Sequence, residues 1–253
     1  MRFASLGSGS RGNALVVEAG ATRLLLDCGF GPKEMERRLG RLGLTPGDID
    51  AVFITHEHID HIGGALACSR RFAWAIHLTH GSCVALGAAE TAMLRLIDSH
   101  ATIEFGDIRV EPYPVPHDAR EPVQYVFSDG AYRLGVLTDA GEPTPHIQRM
   151  LSGCDALVLE CNHDPEMLSR GSYPRALKQR ISGRLGHLGN DVAAGLLRSI
   201  DVSRLRHAVA AHLSAENNHP DLARGALADA LNCTPDWIGV ANQTEGTVWL
   251  DVS

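Results

Sequence analysis

Thr55-His56-Glu57-His58-Ile59-Asp60-His61 decides how the rest of this 253-residue chain is read. The run follows a short apolar stretch, Ala51-Val52-Phe53-Ile54, that reads as a buried strand. It precedes Gly63-Gly64 and a small-residue segment, Ala65–Cys68, that reads as helical. Three histidines and an aspartate therefore crowd a strand-to-helix turn. In an extended segment His56 and His58 point to the same side. Once the chain bends, Asp60 and His61 can face the same pocket from the other flank. Four metal-capable groups from one turn suit two metal ions better than one. Imidazole and carboxylate ligands without a thiolate fit Zn²⁺ or Mn²⁺, with Fe possible. Four satisfied structural polar groups in one turn would be the bland reading, and it is a poor one.

Further polar groups stand at the ends of strand-like runs. His117 follows Pro114-Val115-Pro116, where prolines stop regular pairing. Asp139 ends Leu134–Thr138, Glu160 and His163 follow Ala156–Leu159, and His212 ends His207–Ala211. His187, in Gly186-His187-Leu188-Gly189-Asn190, precedes a helix expected to start near Asp191. Each alone reads as an ordinary polar residue at a strand end. Together they sit where a rigid scaffold gathers distant residues into one site. The turn Gly7–Asn13 reads first as a hairpin connection. Its backbone N–H groups also offer an anion approach, which makes Ser10 and Asn13 substrate candidates.

Strands are expected over residues 2–6, 14–18, 22–27, 74–78, 102–105, 108–113, 123–128 and 132–138. Helices are expected over Pro32–Leu42, over Ser82–Ile97 with a break near Gly87, and over Asp221–Leu231. Trp237–Ala241 and Thr247–Asp251 are expected to complete a second sheet. The hairpins imply antiparallel pairing, so a two-sheet core with outer helices fits better than a doubly wound parallel sheet. No repeat or linker divides residues 1–253, and one domain is expected.

Hydrophobic residues make up 44% and charged residues 21%, an ordinary globular balance. The net charge of −7 argues against a wholly basic nucleic-acid binder, though local patches matter more than the total. The six cysteines form no C-x-x-C pair and read as reduced core residues, with Cys161 the one beside site candidates. The N-terminus lacks a signal-peptide apolar core and no run could span a bilayer, so a cytoplasmic protein without a membrane role is expected. The oligomeric state is not readable from the sequence.

His-x-His-x-Asp-His at 56–61, followed in order by His117, Asp139 and His212, resembles the metallo-β-lactamase superfamily. The resemblance implies an α/β fold of the α+β type, a four-layer αββα sandwich. It implies one metal held by His56, His58 and His117 and another by Asp60, His61 and His212, with Asp139 bridging them. Gly186-His187 and Ala211-His212-Leu213-Ser214 are similar to the phosphodiesterase and ribonuclease Z side of that superfamily. Closer still, Leu6–Asn13, Glu160–Asp164, Tyr173-Pro174 and His212–Asn218 look like the YycJ/WalJ-type proteins, a bacterial group associated with 5′→3′ exonuclease activity on DNA. The Asp139–His212 interval is too short for the clamp domain of β-CASP nucleases, and no long tRNA-gripping arm is evident.

The expected activity is a dinuclear metal-dependent phosphodiesterase, a 5′→3′ DNA exonuclease with a metal-bridging hydroxide as nucleophile. Its catalytic candidates are Asp60, Glu160 and His187, with His187 protonating the leaving group and Glu160 orienting it. Small-molecule hydrolysis of a cyclic phosphodiester or a thioester is the alternative, and a non-hydrolytic metal or redox sensor is a third. The run Arg170–Arg184 carries five cations and no acidic residue. Within it Arg175 and Lys178 are candidate phosphate contacts, against the plain reading of a solvated helix face. Ser214 is a further substrate candidate, and His163 could support the site, touch substrate or cap the next segment. His77, His80, His100, His146, His207 and His219 read as surface or core residues.

Overall fold

The structure, a computed structural model, describes residues 1–87 and 93–252. Strands β1 (Arg2–Gly7), β2 (Ala14–Ala19) and β3 (Thr22–Leu26) form an antiparallel meander. Helix α1 (Pro32–Arg41), with proline in its first turn, returns the chain to β4 (Ala51–Phe53), which lies parallel to β3. After β4 come the metal-capable run, the short α2 (Ile59–Ile62) and α3 (Ala65–Phe72). Then β5 (Ala75–Thr79), α4 (His80–Ala85) and β6 (Leu94–Ile97) extend the parallel half.

The second half repeats the plan. Antiparallel β7 (Ile103–Phe105), β8 (Ile108–Pro114), β9 (Val123–Ser128) and β10 (Arg133–Leu137) come first. They are followed by α5 (Pro145–Leu151), β11 (Ala156–Glu160), α6 (Pro165–Arg170), α7 (Arg175–Ile181) and α8 (Asn190–Ser199). β12 (His207–Ala211), α9 (Pro220–Leu231), β13 (Gly239–Val240) and β14 (Leu250–Asp251) complete the order. One sheet runs β14-β1-β2-β3-β4-β5-β6 and the other β13-β12-β11-β10-β9-β8-β7.

Side-chain alternation builds the layers. Leu24, Leu26 and Phe53 of the first sheet face Tyr125, Val136, Val158 and Val209 of the second in a shared core. Leu25 and Val52 point the other way, onto Met35 and Leu39 of α1 and Cys68 of α3. Leu137, Leu157, Leu159 and Ala210 point outward onto α5, α8 and α9. The layers are helix, sheet, sheet, helix, as expected. Phe53 is fully buried and stacks on His77 with ring centroids 4.5 Å apart. Truncating such a ring to alanine costs about 3–5 kcal/mol.

Three expectations change. Leu94–Ile97 is not helical: it pairs in parallel with β5, Ile76 opposite Leu94, so tertiary pairing overrides the helical reading. The middle of that expected helix, residues 88–92, lies outside the described residues. β13 joins the second sheet but β14 crosses to the first, Arg2 opposite Asp251, an antiparallel pairing with a strand distant in sequence that local pattern does not encode. Pairing is also less antiparallel than the hairpins implied, since helical crossovers make β3 to β6 and β10 to β13 parallel. Among the described residues no helix is long and apolar enough to cross a membrane.

The two sheets are laced together beside the His-rich run. Tyr125 Oη donates to the Ile54 carbonyl at 2.8 Å, and Val123 N–H donates to the Thr55 carbonyl at 3.0 Å. From the other side Asn13 N–H donates to Asp60 O and Cys28 N–H to His61 O, at 2.8 and 2.7 Å. This approach requires glycine at position 29, where a Cβ would lie 2.0 Å from the Asp60 carbonyl oxygen.

Candidate metal centre

The C-terminal ends of β4, β10, β11 and β12 converge on one cleft, with the segment after β8 closing its side. Two three-residue groups have potential ligand atoms within 4.8 Å of one another: His56, His58 and His117, and Asp60, His61 and His212. Asp139 lies between them and forms a third such group with His56 and His61. A fourth group joins Asp139 and His212 to Glu160 and His187. All seven metal candidates, and both candidates for proton handling, are therefore brought together.

Hydrogen bonding sets which imidazole nitrogens face the cleft. Asp27 accepts from Thr55 N–H at 2.9 Å and from the Thr55 hydroxyl at 3.0 Å. It also accepts from His61 Nδ1 at 2.7 Å. With its proton given to Asp27, the Thr55 hydroxyl is left to accept from His56 Nδ1 at 2.9 Å. His117 Nδ1 donates to the Gly186 carbonyl at 3.0 Å. Each ring thus spends Nδ1–H on the protein and turns Nε2 toward the cleft. His58 presents Nδ1 instead, 3.2 Å from His117 Nε2.

Carboxylates fill the space between. Asp139 Oδ2 lies 2.9 Å from His61 Nε2, and Asp60 Oδ2 lies 3.3 Å from His212 Nε2. Glu160 is fully buried; its Oε2 accepts from Ala140 and Leu188 N–H and its Oε1 from His187 Nδ1 at 2.8 Å. Burial opposes charge on His61, yet Asp139 and Asp27 outweigh it and push its pKa well up. Burial likewise opposes the His212 imidazolium, but Asp139, with Asp60 and Glu160 behind it, raises it to about 9. At His187 burial is again overcome, chiefly by Glu160, and the value rises to about 11. His56 goes the other way: burial, and then the charge of His61, push it well down and leave it neutral.

These observations test the residues against metal ions. His56 Nε2 is a buried polar atom without a hydrogen-bond partner, and it faces the cleft centre. Such an atom is costly unless a cation or donor meets it. The carboxylate field draws protons onto buried imidazoles, the response of a cavity that demands positive charge. Nitrogen and oxygen donors with no thiolate fit divalent ions. Three residues here, Asp27, Asp139 and His212, adopt left-handed backbone with φ of 61°, 53° and 55°. Backbone strain of this kind concentrates at functional sites.

The remaining candidates divide. Ser10 and Ser214 line the cleft, although Ser214 Oγ also accepts from Asn217 N–H at 3.1 Å. Asn13 is buried, with Nδ2 3.2 Å from Asp60 Oδ2 and Oδ1 accepting from Gly9 N–H; it holds the site rather than facing solvent. The Gly7–Asn13 turn is folded on itself, with most of its N–H groups already paired, so it is no anion cradle. His163 is buried against Gly189 and joins neither the metal groups nor the cleft lining. Cys161 is fully buried and its thiol is pushed up by burial, which removes it from the chemistry.

The cationic run is less free than its sequence suggests. Arg170 pairs with Glu166, Arg180 with Asp118 and Arg184 with Glu142, at 2.6, 2.7 and 2.7 Å. Lys178 Nζ donates to Ser169 O, and neither Lys178 nor Arg175 lines the cleft. Spatial neighbours supplied the acid that the run lacks. Asp27 and Thr55, by contrast, were not singled out from the sequence. Their signal was an aspartate ending β3 directly beside the strand that feeds the His-rich turn.

Residues 22–212 match the family pattern described as "Beta-lactamase superfamily domain". The chain is 33% identical over 251 residues to exodeoxyribonuclease YycJ of Bacillus anthracis, covering 98% of this chain and 95% of that one. It is 33% identical over 246 residues to exodeoxyribonuclease WalJ of Streptococcus pneumoniae, covering 94% and 91%. The metallo-β-lactamase fold protein YhfI of Bacillus subtilis superimposes with a TM-score of 0.75 over 99% of both chains at 14% identity, a likeness of fold.

Proposed function

The chain belongs to the metallo-β-lactamase superfamily, in its YycJ/WalJ branch, and is a metal-dependent hydrolase; from that premise we propose that it is a dinuclear phosphodiesterase that degrades DNA from the 5′ end. His56, His58 and His117 would hold one ion and Asp60, His61 and His212 the other, with Asp139 shared. When bound, two divalent ions lower the pKa of water toward neutrality and neutralise charge on phosphate oxygens.

The protein's own residues supply the rest. Asn13 and His212 hold Asp60, and Asp27 fixes both His61 and, through Thr55, His56. Glu160 holds His187 Nδ1 at 2.8 Å, and Nε2, a nitrogen without a protein partner among the described residues, is the atom that would carry the proton to the leaving group. The His187 ring, held by Glu160 at the edge of the metal groups, is the observation that carries the reading. A thiolate, with a conjugate-acid pKa of about 8.5, leaves without help. A sugar alkoxide, near the roughly 15.7 of water, needs the proton.

The test is to offer the metal-loaded protein a 5′-phosphorylated duplex, bis-p-nitrophenyl phosphate and a thioester in parallel. Release of mononucleotides from the 5′ end, with no thioester turnover, is the expected result. Thioester turnover without cleavage of either phosphodiester would establish the small-molecule alternative. Asp27→Asn should weaken metal binding about 10–100-fold, read by competition with a chelator. The amide turns an N–H toward His61 Nδ1, reversing the tautomer that exposes Nε2. Unchanged affinity would mean that Asp27 serves folding alone.

A further inference from the structure

The cleft has a volume of about 540 Å³, and metal chemistry uses only one side of it. Its other lining includes Tyr173, in the link between α6 and α7, with Leu177 and Ile181 one turn apart on α7. Ile59, between His58 and Asp60, also lines it and is 78% exposed, an unusual position for a large aliphatic side chain. Tyr173 is half-buried and makes no hydrogen bond, ion pair or ring contact among the described residues. Neither water activation nor proton transfer calls for these apolar groups. Resting on the DNA reading above, we infer that Tyr173, Leu177, Ile181 and Ile59 form a nucleobase subsite in which the terminal base stacks on the Tyr173 ring.

The wall is built to stay in place. Asp164 caps α6 by accepting from Glu166 and Met167 N–H, Lys178 ties α7 to Ser169 O, and Arg180 pairs with Asp118 beside His117. The Arg180–Asp118 pair links the apolar wall to the segment that carries His117. A volume of this size lies in the range of clefts that take one small ligand, not a duplex. Only a nucleotide unpaired from its partner can enter, and a chain end unpairs at least cost. Aromatic stacking is indifferent to which base arrives, as digestion of arbitrary sequence requires.

The test uses metal-loaded full-length protein and 5′-phosphorylated duplexes whose terminal nucleotide is either normal or abasic. Tyr173→Ala should raise KM about five- to 150-fold on the normal end and leave the abasic end unaffected. Tyr173→Phe, which keeps the ring, should match the wild type on both. A terminal 2-aminopurine beside a cleavage-resistant phosphorothioate should be quenched by the wild type and Tyr173→Phe, and not by Tyr173→Ala. Equal loss on both ends, or a wild type indifferent to the missing base, overturns the subsite alone. A wild type that hydrolyses bis-p-nitrophenyl phosphate but cuts no DNA end overturns the DNA reading and the subsite with it.

Discussion

Asp139→Ala is expected to reduce bound metal from two ions per chain to one or fewer and to lower phosphodiester turnover by about 1,000-fold or more. Outer partners of metal ligands typically cost roughly 10–100-fold, and Asp139 is placed more centrally than any of them. It belongs to the group with His56 and His61 and to the group with Glu160, His187 and His212. Its buried Oδ2 lies 2.9 Å from His61 Nε2, while Oδ1 lies 3.1 Å from His187 Nδ1. Alanine removes the carboxylate common to both halves of the site. Asp139→Asn keeps the shape and one acceptor oxygen, so it should retain the fold and separate charge from volume. Metal content by elemental analysis, read beside turnover of bis-p-nitrophenyl phosphate, decides the matter. Two ions retained with turnover within tenfold of wild type would remove Asp139 from the bridging role.

His187→Ala should lower turnover on DNA by about 100- to 10,000-fold while leaving metal content unchanged. The loss should be far smaller on bis-p-nitrophenyl phosphate, because nitrophenolate leaves without protonation and a sugar alkoxide does not. A merely structural histidine would cost both substrates alike. The pH dependence follows from the same geometry. A proton donor acts in its charged form, so kcat falls as pH rises through its pKa. Burial opposes that charge, and Glu160 and Asp139 more than compensate, holding His187 far above the ordinary histidine range. Glu160→Gln removes the first of these carboxylates and should move the alkaline limb of kcat to lower pH. Loss of metal from His187→Ala, or an alkaline limb unmoved by Glu160→Gln, would contradict the assignment.

The layered fold could be read from the chain because short apolar runs such as Leu24–Leu26 and Ala156–Leu159 mark strands buried on both faces, which need a covering layer on each side. The metal groups could be read for a different reason: their ligands end strands, and strand ends from distant segments meet in one place. What escaped was set by spatial neighbours. β14 pairs with β1 across the whole length of the chain, and no local pattern announces that register. Arg170, Arg180 and Arg184 looked like a free cationic edge until Glu166, Asp118 and Glu142 were found against them. Asp27 drew no notice at the end of its expected strand, because its role lies in hydrogen bonds to Thr55 and His61, about thirty positions away. Asn13 was read as facing substrate, whereas its buried amide faces Asp60.

The most direct test of a two-ion phosphodiesterase is a metal titration of the apo protein followed by turnover on a 5′-phosphorylated duplex at each step. The site predicts negligible turnover up to one equivalent and a rise that saturates at two, as both three-residue groups fill around Asp139. Full turnover at one equivalent, or turnover that survives complete removal of metal, would contradict it.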